Sequence, residues 1–238
     1  MKVIIVKKSW IYIAIVLLTL SVLSIAWINY YRAKTTAYLL PSLTKVIMLD
    51  AGHGGVDPGA VSKGGVKEKD INLTIALYLK EYLEQNGAVV LMTRFEDEGL
   101  YSSEGSLRNK KNEDLRKRKE IVKDSGADIF ITIHLNSFPQ TQYYGAQTFY
   151  PKDNAAGKVL AEKIQEELIN TLDNNNKRVA LPKDDVYVIK GLDIPTTLVE
   201  CGFLSNPKEE QLLQKSSYQK KIAWSIFVGI QRYFLEKS

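Results

Sequence analysis

Apolar strand-like runs alternating with helical stretches of four-residue apolar spacing predict an α/β fold. In full, the expectation is a single domain whose largely parallel, twisted sheet is covered by helices on both faces, preceded by an N-terminal apolar helix. Three observations carry it. "DIFITIH" at 128–134 is nearly all apolar, as a strand buried on both faces has to be. Ile71, Ile75, Leu79 and Leu83 form one helical stripe that stops at Asn86-Gly87. The 238 residues are 45% hydrophobic and 25% charged, enough for one core of ordinary size.

Element by element, Ser9 to Tyr31 holds 23 residues without a formal charge. As a helix it would span about 35 Å at ~1.5 Å per residue, enough to cross a bilayer. Trp10, Tyr12, Trp27, Tyr30 and Tyr31 sit near its ends, where amphipathic rings favour the membrane interface. Lysines ahead of it favour a cytoplasmic N-terminus and an exported remainder. Residues 1–31 are therefore expected to be a membrane anchor or a signal segment, with Ser24-Ile25-Ala26 as the rival cleavage site. Residues 32–44 read as a tether without clear periodicity, and 45–238 as the folded domain.

Within that domain a strand at 45–50 leads into a glycine-rich loop, 51–66. The helix 68–86 and a strand at 88–93 follow, then a polar stretch, 94–113, expected as an exposed loop. A helix at 114–125 precedes the strand 128–134; a strand at 145–150 and a helix at 154–173 come next. Strands are expected at 185–190 and 195–200, then a short helix opened by Asn206-Pro207 and a final helix at 217–236.

The net charge is +5, of which Lys2, Lys7 and Lys8 supply three. The balance is no footprint for nucleic acid, so none is expected as a partner. Cys201 is the only cysteine, which excludes an intramolecular disulfide and a cysteine-rich metal site.

The chain has two histidines, His53 and His134, and each falls at the C-terminal end of a predicted strand, where parallel α/β sheets keep their functional groups. Gly52 and Gly54 flank His53, allowing a sharp turn and leaving the imidazole accessible. Glu68 lies where the first helix begins, and the helix dipole favours its ionised form. Two imidazoles and one carboxylate make the open zinc set that leaves a fourth position for water. Taken singly, each histidine reads more readily as a hydrogen-bonded structural residue, and Glu68 as a stabilising N-terminal helix acid. Glu200 in "TTLVECGFLSN" ends an apolar strand with a carboxylate, costly there unless it is paired or used as a general base.

At this point the chain resembles a family. "LDAGHGGVDPGA", "GGVKEKD", "VVLMTR", "ADIFITIHLNS", "GAQTFY", "IPTTLVECGFLSN" and "SYQKKIAWSIFVGIQRYF" match in order the signature of zinc-dependent N-acetylmuramoyl-L-alanine amidases of the amidase-3 type, over roughly residues 45–236. The short form with an N-terminal apolar segment is most similar to the germination-specific subgroup of endospore formers. The resemblance implies Zn2+ held by His53, Glu68 and His134, with Glu200 as the catalytic residue. The implied substrate is peptidoglycan, cleaved between N-acetylmuramic acid and L-alanine of the stem peptide. In the spore cortex that cleavage would feed muramic-δ-lactam formation, with a polysaccharide deacetylase acting next and an activating lipoprotein as a possible requirement. The site would lie outside the cytoplasm, between the forespore membranes. Asn136 is expected either to hydrogen-bond substrate or to cap its loop; Arg94 either meets a peptide carboxylate or forms a structural ion pair. Two other functions stay open: a zinc peptidase acting within the stem, and a non-catalytic cell-wall-binding protein.

Overall fold

The computed structural model describes residues 7–39, 41–102, 104–172 and 175–237. They form two compact units, Met1–Pro41 and Ser42–Ser238. The first is a single helix, α1 (Lys8–Leu39), whose segment Lys8–Tyr31 is long and apolar enough to cross a membrane. The hydroxyls of Thr19, Ser21 and Ser24 each donate to a carbonyl three residues back, so these polar groups are satisfied within the helix. Part of the stretch 32–44, read as a tether without clear periodicity, is regular: helix continues to Leu39. No Gly or Pro interrupts it before Pro41, which cannot continue the ladder.

The second unit contains β1 (Val46–Ala51), α2 (Glu68–Gln85), β2 (Val89–Met92), α3 (Leu107–Asp124), β3 (Ile129–Asn136), β4 (Gln147–Tyr150), α4 (Ala155–Leu172), β5 (Leu181–Pro182), β6 (Thr196–Phe203), α5 (Pro207–Leu213) and α6 (Ser216–Leu235). The strands make one sheet in the order β2-β1-β3-β6-β4-β5. All neighbours are parallel except β4, which runs antiparallel to β6. The ten residues between β3 and β4 carry no helix, so the chain turns back instead of crossing over to a parallel strand.

Side chains alternate between two cores, as the two-residue strand period requires. Ile47, Leu49, Ile131, Ile133 and Val199 face α2, α4 and α6, meeting Ile75, Leu79, Ile164 and Ile226. Met48, Phe130 and Leu198 face the other way, onto Val122 of α3 and onto Val188, Ile189 and Leu192. Helices therefore cover both faces. Residues 185–190 do not form the strand expected of them. They form turns that bury Val188 and Ile189 beneath the sheet without joining it.

Helix α3 also departs from expectation, starting at Leu107 inside the stretch read as a loop. Ser106 caps it by accepting from the Asn109 amide. Its buried residues are Asp114, Arg118 and Val122, so charge fills most of its inward face. A helix of that kind has no apolar period to detect. β3 and β6 likewise run past their expected ends, to Asn136 and Phe203, so His134 and Glu200 lie within the strands rather than at their tips.

Candidate active site

One row across the α3 face of the sheet organises the site. His134 of β3 is the register partner of Glu200 of β6, and Glu200 is the partner of Gln147 of β4. On the other flank the Gly52 amide donates to the Ile133 carbonyl, which brings Gly52 beside His134. A Cβ at Gly52 would stand 2.2 Å from His134 Cε1, so only glycine leaves room for that ring. The glycine before His53 thus serves the other histidine.

His53 itself has φ 65°, in the left-handed region where a side chain is strained. Its neighbours hold it there. Arg118 Nη2 donates to the His53 carbonyl at 2.6 Å, and Asp57 Oδ2 stands 2.9 Å from His53 Nδ1. Lys111 pairs with the other Asp57 oxygen at 2.6 Å. This leaves His53 Nε2 to face Glu68. Gly59 (φ 67°) is also obligatory, since a Cβ would meet Glu68 Oε2 at 2.6 Å and His53 Cδ2 at 2.7 Å.

Glu68, the first residue of α2, is 3% exposed. Its Oε1 lies 3.3 Å from His53 Nε2 and 3.1 Å from His134 Nδ1, and accepts from the Leu135 amide and Asn72 Nδ2. Its Oε2 accepts from the Ala60 amide at 2.8 Å. The structure therefore brings His53, Glu68 and His134 together, with one potential ligand atom from each inside a 4.8 Å radius of the others. Burial pushes the Glu68 carboxyl up, but hydrogen bonds with His134 and His53 outweigh it and hold it well below the usual range. Burial pushes the His53 imidazole down, yet its bonds to Asp57 and Glu68 raise it to about 9.

Glu200 is half-buried, and its Oε2 is fully enclosed without a hydrogen-bond partner among the described residues. Burial pushes its carboxyl up to about 7, against the attraction of the His134 ring. An enclosed, unpaired carboxylate oxygen beside the histidine–glutamate cluster keeps bonding capacity that none of the described residues takes up. The donor set and this orphaned atom both fit a three-ligand zinc site.

Arg94 meets neither expectation, because its 1%-exposed guanidinium forms no ion pair among the described residues. It donates instead to the carbonyls of Ala51, Gly52, Lys69 and Glu96, bracing the loop around His53. Asn136 ends β3, half-buried, with its carbonyl accepting from the Leu204 amide. Cys201 is buried and its thiol is pushed up by burial, the inert state expected of a core thiol.

Several site residues escaped the sequence reading. Asp57 stands four residues after His53, a spacing that could have suggested the contact. Asp50 lies under the site, accepting from Thr93, Thr132 and Arg118 at 2.6 Å each. Burial pushes its carboxyl up, but Arg118 and the two hydroxyls bring it down to about 2. Glu209, 4% exposed, accepts from the amides of Gly145 and Phe203 and so ties β6 to the loop before β4. Nothing local in the sequence marks either role.

Two imidazoles and a buried carboxylate gathered beside a second glutamate, itself in register with one of the imidazoles, make the arrangement of a metal-assisted hydrolase. The chain belongs to the Amidase_3 family, N-acetylmuramoyl-L-alanine amidase, whose model matches residues 47–232. It is 44% identical over 200 residues to the germination-specific N-acetylmuramoyl-L-alanine amidase of Bacillus subtilis (strain 168), covering 83% of each chain. Among solved structures it is similar to the CwlD amidase of Clostridioides difficile in complex with the GerS lipoprotein. That match has 53% identity and a TM-score of 0.79 over 80% of this chain and 98% of that one. The catalytic domain of CwlV, the amidase of Bacillus (Paenibacillus) polymyxa var. colistinus, follows at 30% identity and a TM-score of 0.69, covering 80% and 98% of the respective chains.

Proposed function

We propose that this chain hydrolyses the amide between the lactyl group of N-acetylmuramic acid and L-alanine of the stem peptide, with zinc held by His53, Glu68 and His134. The observation that carries the reading is Glu200 Oε2, enclosed and unpaired in the row that also holds His134. Zinc, when bound, supplies Lewis acidity, lowering the pKa of water toward ~7 and polarising a carbonyl.

The residues divide the remaining work. Asp57 accepts the Nδ1 proton of His53 and so presents Nε2 as the donor atom. Glu68, anchored by the amides of Ala60 and Leu135, stays ionised. Glu200, raised to about 7, is matched to accept a water proton and pass it to the departing amine of alanine. Arg94 and Arg118 fix the loop through its carbonyls and stay out of the chemistry.

The germination-specific relative supports a role in germination; the setting proposed is maturation of spore cortex, in which the freed lactyl end goes on to muramic-δ-lactam after a deacetylase acts. The complex of the C. difficile relative with a lipoprotein supports an activating lipoprotein as partner. Residues 1–31 serve as anchor or export signal and 45–238 carry catalysis outside the cytoplasm. The test is purified cortex peptidoglycan, incubated with the zinc-loaded full chain in detergent and analysed by mass spectrometry beside Glu200→Gln. Free lactyl ends and intact stem peptides, absent with the variant, are expected. Cleavage inside the stem would make the protein a peptidase instead.

A further inference from the structure

The row through the site does not stop at Glu200. Its next member, Gln147, is 6% exposed, and its Nε2 donates to the Val179 carbonyl. Gln147 Oε1 accepts from Arg178 Nη1 at 2.8 Å. Arg178 Nε donates to the Tyr144 carbonyl at 2.8 Å, and the guanidinium carbon lies 4.6 Å from the centroid of the Phe203 ring. Phe203 is fully buried and stands three residues beyond Glu200 on β6. An arginine is thus held by two hydrogen bonds over an aromatic ring, beside the strand next to that of Glu200.

Only two of its five N–H groups are used. The other three have no hydrogen-bond partner among the described residues, and the side chain is half-exposed. This is the reverse of Arg94, whose guanidinium is consumed by carbonyls. A positioned guanidinium with an open edge is the group that takes a carboxylate in a two-point contact.

We propose that Arg178 binds a carboxylate of the stem peptide and selects substrates that carry one. The inference rests on the amidase reading and adds a specificity residue to it. Gln147 lies one strand spacing, about 4.8 Å, from Glu200, and its side chain holds Arg178 a further side chain's reach along the row. A peptide leaving the scissile amide advances about 3.3–3.6 Å per residue, which brings a carboxylate on its second or third residue to that distance. Gln147 and Phe203 are positioning residues: one fixes the fork in plane, the other fixes its tilt.

The test is calorimetric, with the full chain, zinc-loaded in detergent. The probes are a synthetic stem tripeptide with free carboxylates and the same tripeptide with every carboxylate converted to an amide. Wild type is expected to prefer the free form by roughly 10- to 100-fold, the range of a charge-assisted hydrogen bond. Arg178→Met should bind both forms alike, and Arg178→Lys, which keeps the charge without the fork, should fall between. Equal binding of both tripeptides by wild type, or an undiminished preference in either variant, overturns the inference. Should Arg178→Met fail to fold, wild type and Arg178→Lys decide alone. Cleavage of a muramoyl peptide by the same wild-type sample tests the parent reading separately. Normal cleavage without the carboxylate preference sinks only the role of Arg178, and the preference without cleavage sinks only the hydrolase.

Discussion

The two halves of the site are built on opposite rules. On the β1–α2 side the site residues are gripped: Glu68 accepts from two amides and an asparagine, and His53 is held at its carbonyl and its Nδ1. On the β6–β4 side Glu200 keeps an oxygen enclosed and unpaired, and Arg178 keeps three N–H groups open. On the proposed function, the difference separates groups that would hold a metal from groups that would meet water and substrate. Ligands of a metal gain from being fixed before it arrives, because their ordering is then complete. Groups that meet water and substrate need bonding capacity left over.

The sharpest way to break this contrast is Glu200→Gln. Turnover should fall by roughly 10²–10⁴-fold, the usual worth of a general base, while zinc affinity stays unchanged. Calorimetric zinc titration beside the cleavage assay reads both, and a large loss of zinc affinity would mean the two halves are not separable.

Glu68→Ala attacks the gripped half. It strands the amides of Ala60 and Leu135 and removes the partner of two imidazoles. Zinc binding should be lost, and the metal-free protein should lose about 3 kcal/mol in urea unfolding.

Asp57→Asn sharpens the comparison by weakening the support of His53 while keeping a side-chain oxygen for Gly59, and zinc affinity should fall roughly 10- to 100-fold with the fold intact. The same pairing sets a pH dependence. With His53 raised to about 9, the metal-free imidazole is protonated at pH 7, so zinc must displace that proton. Affinity should therefore rise with pH toward 9, and proton release should be visible as buffer-dependent heats.

The smallest effect lies beneath the site. Asp50 is lowered to about 2 from 3.8, so its stabilisation is present above pH ~4 and disappears as pH falls through 2. The stability difference between wild type and Asp50→Asn should shrink by about 2 kcal/mol over that window, measured by urea unfolding.

Much of this was legible in the linear chain. Apolar runs announced β1, β3 and β6, and a four-residue stripe announced α2, because burial of those elements is apolar. His53, Glu68, His134 and Glu200 were each visible as polar groups set where buried strands and helices end or begin. α3 was missed by seven residues at its start because it buries Asp114 and Arg118, whose justification is Asp50 on a distant strand. Residues 185–190 misled for the converse reason, since apolar side chains can be buried without their backbone joining a sheet.

What the sequence determined by itself is therefore whatever depends on neighbours along the chain: periodicity, caps, the apolar helix, and the residue types of the site. Only the tertiary structure decided which side chains share a row. Sheet register set His134, Glu200 and Gln147 abreast, which made Gly52 a matter of space for a ring 82 residues away. It also separated two arginines that look alike in sequence, burying Arg94 among carbonyls and leaving Arg178 open on the strand side of Glu200 that carries Gln147. Pairing between strands is a contact between distant residues, and local composition carries no record of it.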